Sequence, residues 1–105
     1  MDLRRGLGRS LRLVRKAQGV TQQDLSDVTA RSYLSYIERG VKNPTVEKLE
    51  ELASAMRVHP LTILMIAYLP QLRENDLDAL QSRISKEVRA VLAEAHKALP
   101  RKTRR

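Results

Sequence analysis

The chain has no cysteine, no phenylalanine and no tryptophan. Without cysteine there can be no disulfide, no thiolate metal site and no cysteine nucleophile, which suits a reducing cytoplasm. Without the large aromatics, a core must be assembled from Leu, Ile, Val, Met and Ala, side chains that suit helix-on-helix packing. Long apolar runs are also missing. The longest nearly apolar stretch, Leu61 to Leu69, is far short of the ~20 residues that cross a bilayer, so no membrane partner is expected. The opening Met1-Asp2-Leu3-Arg4-Arg5 has no apolar signal region, and a cytoplasmic location is expected. Acid is in short supply. The formal net charge is +8; residues 1–16 hold six Arg or Lys against one Asp, and residues 101–105 hold four cations and no acid. Basic ends of this kind suit a polyanionic partner. His59 and His96 lie far apart and have no Cys beside them, so neither metal nor cofactor is expected. No nucleophile stands at a recognisable spacing from a base, which argues against an enzyme.

What is present is helical punctuation. Leu7, Leu11 and Val14 recur at helical spacing with Arg9, Arg12, Arg15 and Lys16 between them, and Gly19 stops that helix. Thr21 caps a second helix, with Asp24 three residues on in a capping-box position. Thr29 caps a third, over about Ala30 to Arg39, with Leu34 and Ile37 inward and Gly40 closing it at positive φ. Thr45 caps a fourth, in which Val46, Leu49, Leu52, Ala53 and Met56 form one face. His59 is a capping or loop residue, and Pro60 opens a fifth helix, Leu61 to about Leu69. That helix is apolar almost all round and calls for cover on more than one side.

Pro70 breaks the chain. A sixth helix is expected from Asn75 or Asp76 to Leu99, with Leu77, Leu80, Ile84, Val88, Val91, Ala95 and Leu99 as its stripe. The spacings are 3, 4, 4, 3, 4 and 4, which follow an 11-residue rather than a 7-residue repeat. The sequence divides accordingly into a five-helix unit at 1–69, an amphipathic helix at 70–99 and a basic disordered tail at 100–105.

The ordered set Gly8, Leu11, Arg12, Val14 and Arg15, then Gly19-Val20-Thr21-Gln22, Ile37-Glu38-Arg39-Gly40, Asn43-Pro44-Thr45 and Leu49, Leu52, Ala53 resembles the Cro/lambda-repressor-like (XRE) family of helix-turn-helix proteins. The match spans residues 7–64. It implies an all-α fold: a five-helix DNA-binding domain, here followed by the C-terminal amphipathic helix. In one respect the chain departs from the family. The stretch between Leu25 and Arg31 is shorter than usual, so the second helix or the turn after it must be shortened.

The resemblance also implies roles. The third helix is the reading helix, whose first residues reach base edges in the major groove. Arg31, Ser32 and Tyr36 occupy the base-reading positions. Gln22, Gln23, Tyr33, Ser35, Arg39, Lys42 and Asn43 flank them as phosphate contacts, which supply affinity and register. Arg15 and Glu38 form a structural pair between the first and third helices.

The function implied is a sequence-specific transcriptional regulator, a repressor that binds double-stranded DNA with two-fold symmetry as a homodimer. The dimer interface is expected to include Ile63, Ile66, Leu80, Ile84 and Val88. Two alternatives keep the same DNA-binding unit. One is an antitoxin-like protein whose last helix binds a protein partner; the other is a controller protein of a restriction–modification system.

Overall fold

The structure is a computed structural model and describes residues 2–98. It is all-α. Five α-helices, α1 (Leu3–Ala17), α2 (Arg31–Glu38), α3 (Val46–Ala55), α4 (Pro60–Tyr68) and α5 (Glu74–Ala98), follow one another, and a 3-10 turn (Gln23–Leu25) separates α1 from α2. Among the described residues there is no β-strand. The chain divides into two compact units, one ending at Pro70 and the other beginning at Gln71.

The first unit closes around one aliphatic core. Leu11, Leu25, Leu34, Ile37, Leu52, Met56 and Ile63 are almost fully buried, and Tyr33 packs on the edge. Each such aliphatic side chain contributes about 1.5–3 kcal/mol through removal from water. Polar latches fix how α1 lies on α4. The buried Ser10 hydroxyl donates to the Ile63 carbonyl at 2.6 Å. Arg9 Nη2 donates to the carbonyls of Ile66 and Leu69 at 3.3 and 3.2 Å at the end of α4, where the Ile66 carbonyl also accepts from the Leu69 N–H. Arg9 is therefore a second α1 cation with a partly buried partner, beside Arg15.

Helix ends explain most of the remaining geometry. After α2, Gly40 adopts φ +77°. Its N–H donates to Ile37 and the next N–H, of Val41, reaches back to Tyr36 at 2.9 Å. Positive φ is what permits this double closure, and glycine adopts it without a Cβ penalty. α1 ends in the same way at Gly19. α3 does too, but with Arg57 at φ +61° in the left-handed position. Gly8 serves another purpose: a Cβ there would strike the carbonyl oxygens of Ile37 and Glu38, so its absence lets α1 lie directly on the end of α2.

Four expectations are corrected in this unit. The second helix is replaced by the 3-10 turn and one further turn, in which the Leu25 carbonyl accepts from both Val28 and Thr29. The shortened segment, with Val28 and Thr29 unfavourable to helix, leaves no room for more. Thr29 is not the cap of α2; the helix starts later, and its cap position is Ala30, which has no side-chain bond to offer. Val46 does not join the buried face of α3. It lies in the first turn, 74% exposed, beside an open apolar cleft shared with Leu61 and Leu64. Ile63 is 0% exposed inside the core and has no surface left for a second chain, while Ile66 is partly buried against the same core. Ile63 and Ala67 of α4 are thus covered by their own domain, whereas Leu61 and Tyr68 stay exposed.

Elsewhere the caps form. Thr21 and Asp24 close a reciprocal box, N–H to carboxylate at 2.8 Å and N–H to hydroxyl at 3.1 Å. Thr45 Oγ1 accepts from Lys48 N–H at 3.0 Å. His59 Nδ1 accepts from Leu61 N–H at 3.0 Å, with Pro60 in the first turn of α4.

The second unit is α5. It begins at Glu74, with Glu74 and Asp76 in the first turn and His96 and Lys97 in the last, a charge order that opposes the helix dipole. Arg83 and Glu87 pair at 3.1 Å across one turn. No residue of α5 is buried. Ile84, Val88, Val91 and Leu92 are between 40% and 68% exposed. Leu99, the last residue of the expected stripe, and the tail at 100–105 lie outside the described residues.

Candidate nucleic-acid interface

The site is built on α2, a helix of eight residues with one buried side. Leu34 and Ile37 anchor it in the core. At 3.6 residues per turn, Arg31, Ser32, Ser35, Tyr36 and Arg39 then fall within an arc of about 140° on the other side. Arg31, Ser32, Tyr36 and Arg39 are exposed, and Ser35 is half-buried. A single helix of this bulk matches the ~12 Å width of the DNA major groove.

Behind this face sits an ionic anchor. Arg15 grips Glu38 with two parallel bonds, Nε to Oε2 at 2.7 Å and Nη2 to Oε1 at 3.0 Å. Their side chains are 11% and 5% exposed. Arg15 Nη1 also donates to the Val20 carbonyl, and Gln22 Nε2 donates to Glu38 Oε1 at 3.1 Å. The bonds to Glu38 outweigh the cost of burial and hold the Arg15 pKa above its ordinary value. A forked pair of this kind sets direction as well as charge. It fixes the roll of α2 against α1, and it turns the one carboxylate of α2 away from the exposed face.

With Glu38 turned in, the outer face is cationic. The Arg39 guanidinium lies 5.1 Å from the centroid of the Tyr36 ring, and Lys42 Nζ lies 5.4 Å from the same ring and 6.0 Å from Tyr33. Tyr36, 39% exposed, therefore has two cations near its ring. The Tyr33 hydroxyl donates to the Asn43 carbonyl at 3.3 Å and ties α2 to the loop before α3. Arg39 Nε donates to the Ser35 carbonyl. Lys48 Nζ donates to the Val28 carbonyl at 2.7 Å and steadies the irregular stretch that leads into α2.

The residues singled out from the sequence thus separate into groups. Arg31, Ser32, Tyr36, Arg39 and Lys42 share one surface, with exposed Asn43 at its edge. Gln23 is exposed on the turn before α2. Gln22 is half-buried and committed in part to Glu38; its amide nitrogen has a second hydrogen for an outside acceptor. Tyr33 is more a packing and loop-tying residue than an exposed one. The supports given by Arg9 and Lys48 were not apparent from the sequence. Each donates to a main-chain carbonyl far away in the chain, and residue type gives no sign of that. Among the described residues no three His, Cys, Asp or Glu come together as metal ligands, and no helix is long and apolar enough to cross a membrane.

Comparison with known proteins gives concordant matches. Residues 11–63 match the family described as helix-turn-helix. Over 63 residues the chain is 44% identical to y4dJ, an HTH-type transcriptional regulator of Sinorhizobium fredii, an alignment covering 55% of this chain and 78% of that protein. The fold is similar to the crystal structure of the clp gene regulator ClgR from Corynebacterium glutamicum, at a TM-score of 0.60 and 30% identity. That similarity covers 90% of this chain and 94% of the other, a share too large to leave out α5.

Proposed function

The chain belongs to the helix-turn-helix family of DNA-binding transcriptional regulators, and from that premise we propose that it is a repressor that binds a two-fold operator as a homodimer, with α2 as the reading helix. The observation that carries this reading is the outward arc of α2, with Arg31, Ser32 and Tyr36 presented on a face from which the one acid has been turned inward. Arg31 has the fork that pairs with guanine O6 and N7. Tyr36 offers a ring edge to a thymine methyl, and Ser32 is short enough to accept either neighbour. Arg39, Lys42 and Asn43 meet phosphates on one flank, and Gln22 with Gln23 on the other.

One copy presents one reading helix. Two successive major grooves on one face of DNA lie about 34 Å apart, so a two-fold site takes two copies. The uncovered stripe of α5, with Leu80, Ile84 and Val88 near its middle, supplies an apolar surface for that pairing. A small dimer represses by occupying a promoter. A heterologous partner on α5, as in the antitoxin-like reading, would use the same stripe, and the oligomeric state of the purified chain separates the two.

Role assignment on α2 is tested by a salt series. Arg31→Ala is expected to cost about 1–3 kcal/mol on the preferred site and to relax preference at one position per half-site. Lys42→Ala is expected to weaken all sequences alike and to lower the salt slope by about 1. Equal behaviour of the two variants would remove the distinction between base and phosphate contacts.

A further inference from the structure

Beside the reading face lies a second basic surface to which the function proposed above gives no task. Arg5, Arg9, Arg12 and Lys16 recur along α1 at spacings of 4, 3 and 4, which puts all four on one side of that helix. With Arg39 from the end of α2 they line an open cleft of about 410 Å³, which Leu13 and Glu38 complete. The single acid there is already held by Arg15. Arg9 is occupied by the carbonyls at the end of α4. Arg5 has only a loose, exposed partner in Asp2 at 3.9 Å. Arg12 and Lys16 are exposed, and among the described residues neither is paired with a carboxylate.

We propose that this side of α1 is a second phosphate track that grips the DNA backbone beyond the half-site read by α2. The proposal rests on the DNA-binding reading given above. Three features point to a nucleic-acid backbone as the occupant. The cations follow a line: from Arg5 to Lys16 the helix rises about 16 Å at 1.5 Å per residue, enough to run beside several successive phosphates. The line is continuous with the reading face, because Arg39 belongs to both, lining the cleft and lying over Tyr36. Gly40 brings its far end close as well: a Cβ on Gly40 would sit 3.2 Å from the Arg5 side chain, so the chain leaving α2 passes directly beside the first turn of α1. Guanidinium groups also suit phosphate, which they bind with two parallel bonds.

The test is a salt series on the full chain, with R12Q/K16Q compared with the parent on two duplexes. One duplex has the selected operator with flanks of about ten base pairs on each side; the other is trimmed to the operator's edges. On the long duplex the double variant is expected to lower the slope of log affinity against log salt by about 1.8, the value for two lost phosphate contacts. On the trimmed duplex the variant and the parent are expected to coincide, and melting temperatures should match because both side chains are exposed. An unchanged slope on the long duplex, with Arg31→Ala still losing specificity, overturns the track and leaves the reading helix standing. An equal loss on both duplexes overturns the claim that α1 reaches past the half-site. A parent that binds neither duplex removes the DNA-binding reading itself, and the track with it.

Discussion

Leu11, Ile37, Leu52 and Ile63 belong to the unit ending at Pro70 and are almost fully buried, whereas Ile84, Val88, Val91 and Leu92 on α5 are exposed. The side chains are of the same kind. What differs is the company. In the first unit the buried side chains pack on one another, set in place by closures at Gly19, Gly40 and Arg57 and by the Ser10 and Arg9 latches. α5 is a single helix, and one amphipathic helix has no second face to close on. Helical stability in water comes mainly from packing of the apolar face, so a 25-residue helix with its stripe uncovered is incomplete by itself. We propose different duties for the two parts: the first unit presents the reading helix, and the exposed stripe of α5 recruits a second copy.

The largest effect is expected where that incompleteness is attacked. Ile84→Lys with Val88→Lys would place four charges in a two-fold interface, each costing several kcal/mol if buried without a partner. Sedimentation is expected to show monomers at low micromolar concentration, with weak operator binding. An intact dimer would mean that the stripe is not the interface. Next is the anchor of the first unit. Arg15→Ala strands the Glu38 carboxylate, 5% exposed, and is expected to cost about 3–5 kcal/mol of stability. Arg12→Ala, at an exposed position, should stay within about 0.5 kcal/mol of the parent. Comparable melting temperatures for the two variants would remove the anchoring role of the pair.

The smallest effect is a dependence on acid. The Thr21 backbone N–H, and after it the Thr21 side chain, hold the Asp24 carboxylate below its usual pKa range. Because the folded value lies below the unfolded one, the contribution is complete above the ordinary carboxylate range. It fades as pH falls through the folded value. Asp24→Asn is expected to flatten that acid limb in melting temperature against pH; a limb of unchanged steepness would assign it to other carboxylates.

How much of this was legible depended on whether the signal was local. Helix ends marked by Gly19, Gly40, Thr45 and Pro60 could be read from residue type, because those residues are chosen for what the backbone does at one position. Arg57 gave no such sign, since it takes the left-handed position without being glycine. The missing second helix was foreshadowed only by the short segment before Arg31; that a 3-10 turn with a buried Leu25 takes its place is seen only in the fold. Ile63 was misjudged for a related reason. A helix apolar all round shows that cover is needed, not which chain supplies it, and here α1 and α3 lie close enough to do so. At the site, the resemblance named Arg15 and Glu38. That Gln22 joins them, and that Arg39 and Lys42 lie near the Tyr36 ring, are facts of three-dimensional arrangement with no counterpart in spacing.

We propose that two copies, joined through α5, set two α2 helices on one face of DNA. Selection of bound sites from random duplexes, with stoichiometry measured on the enriched sequence, tests it most directly. The expected result is a two-fold sequence with half-sites centred about 10 base pairs apart, or a multiple of that spacing, and two chains per duplex. An asymmetric site filled by one chain, or no enrichment over random sequence, would contradict it.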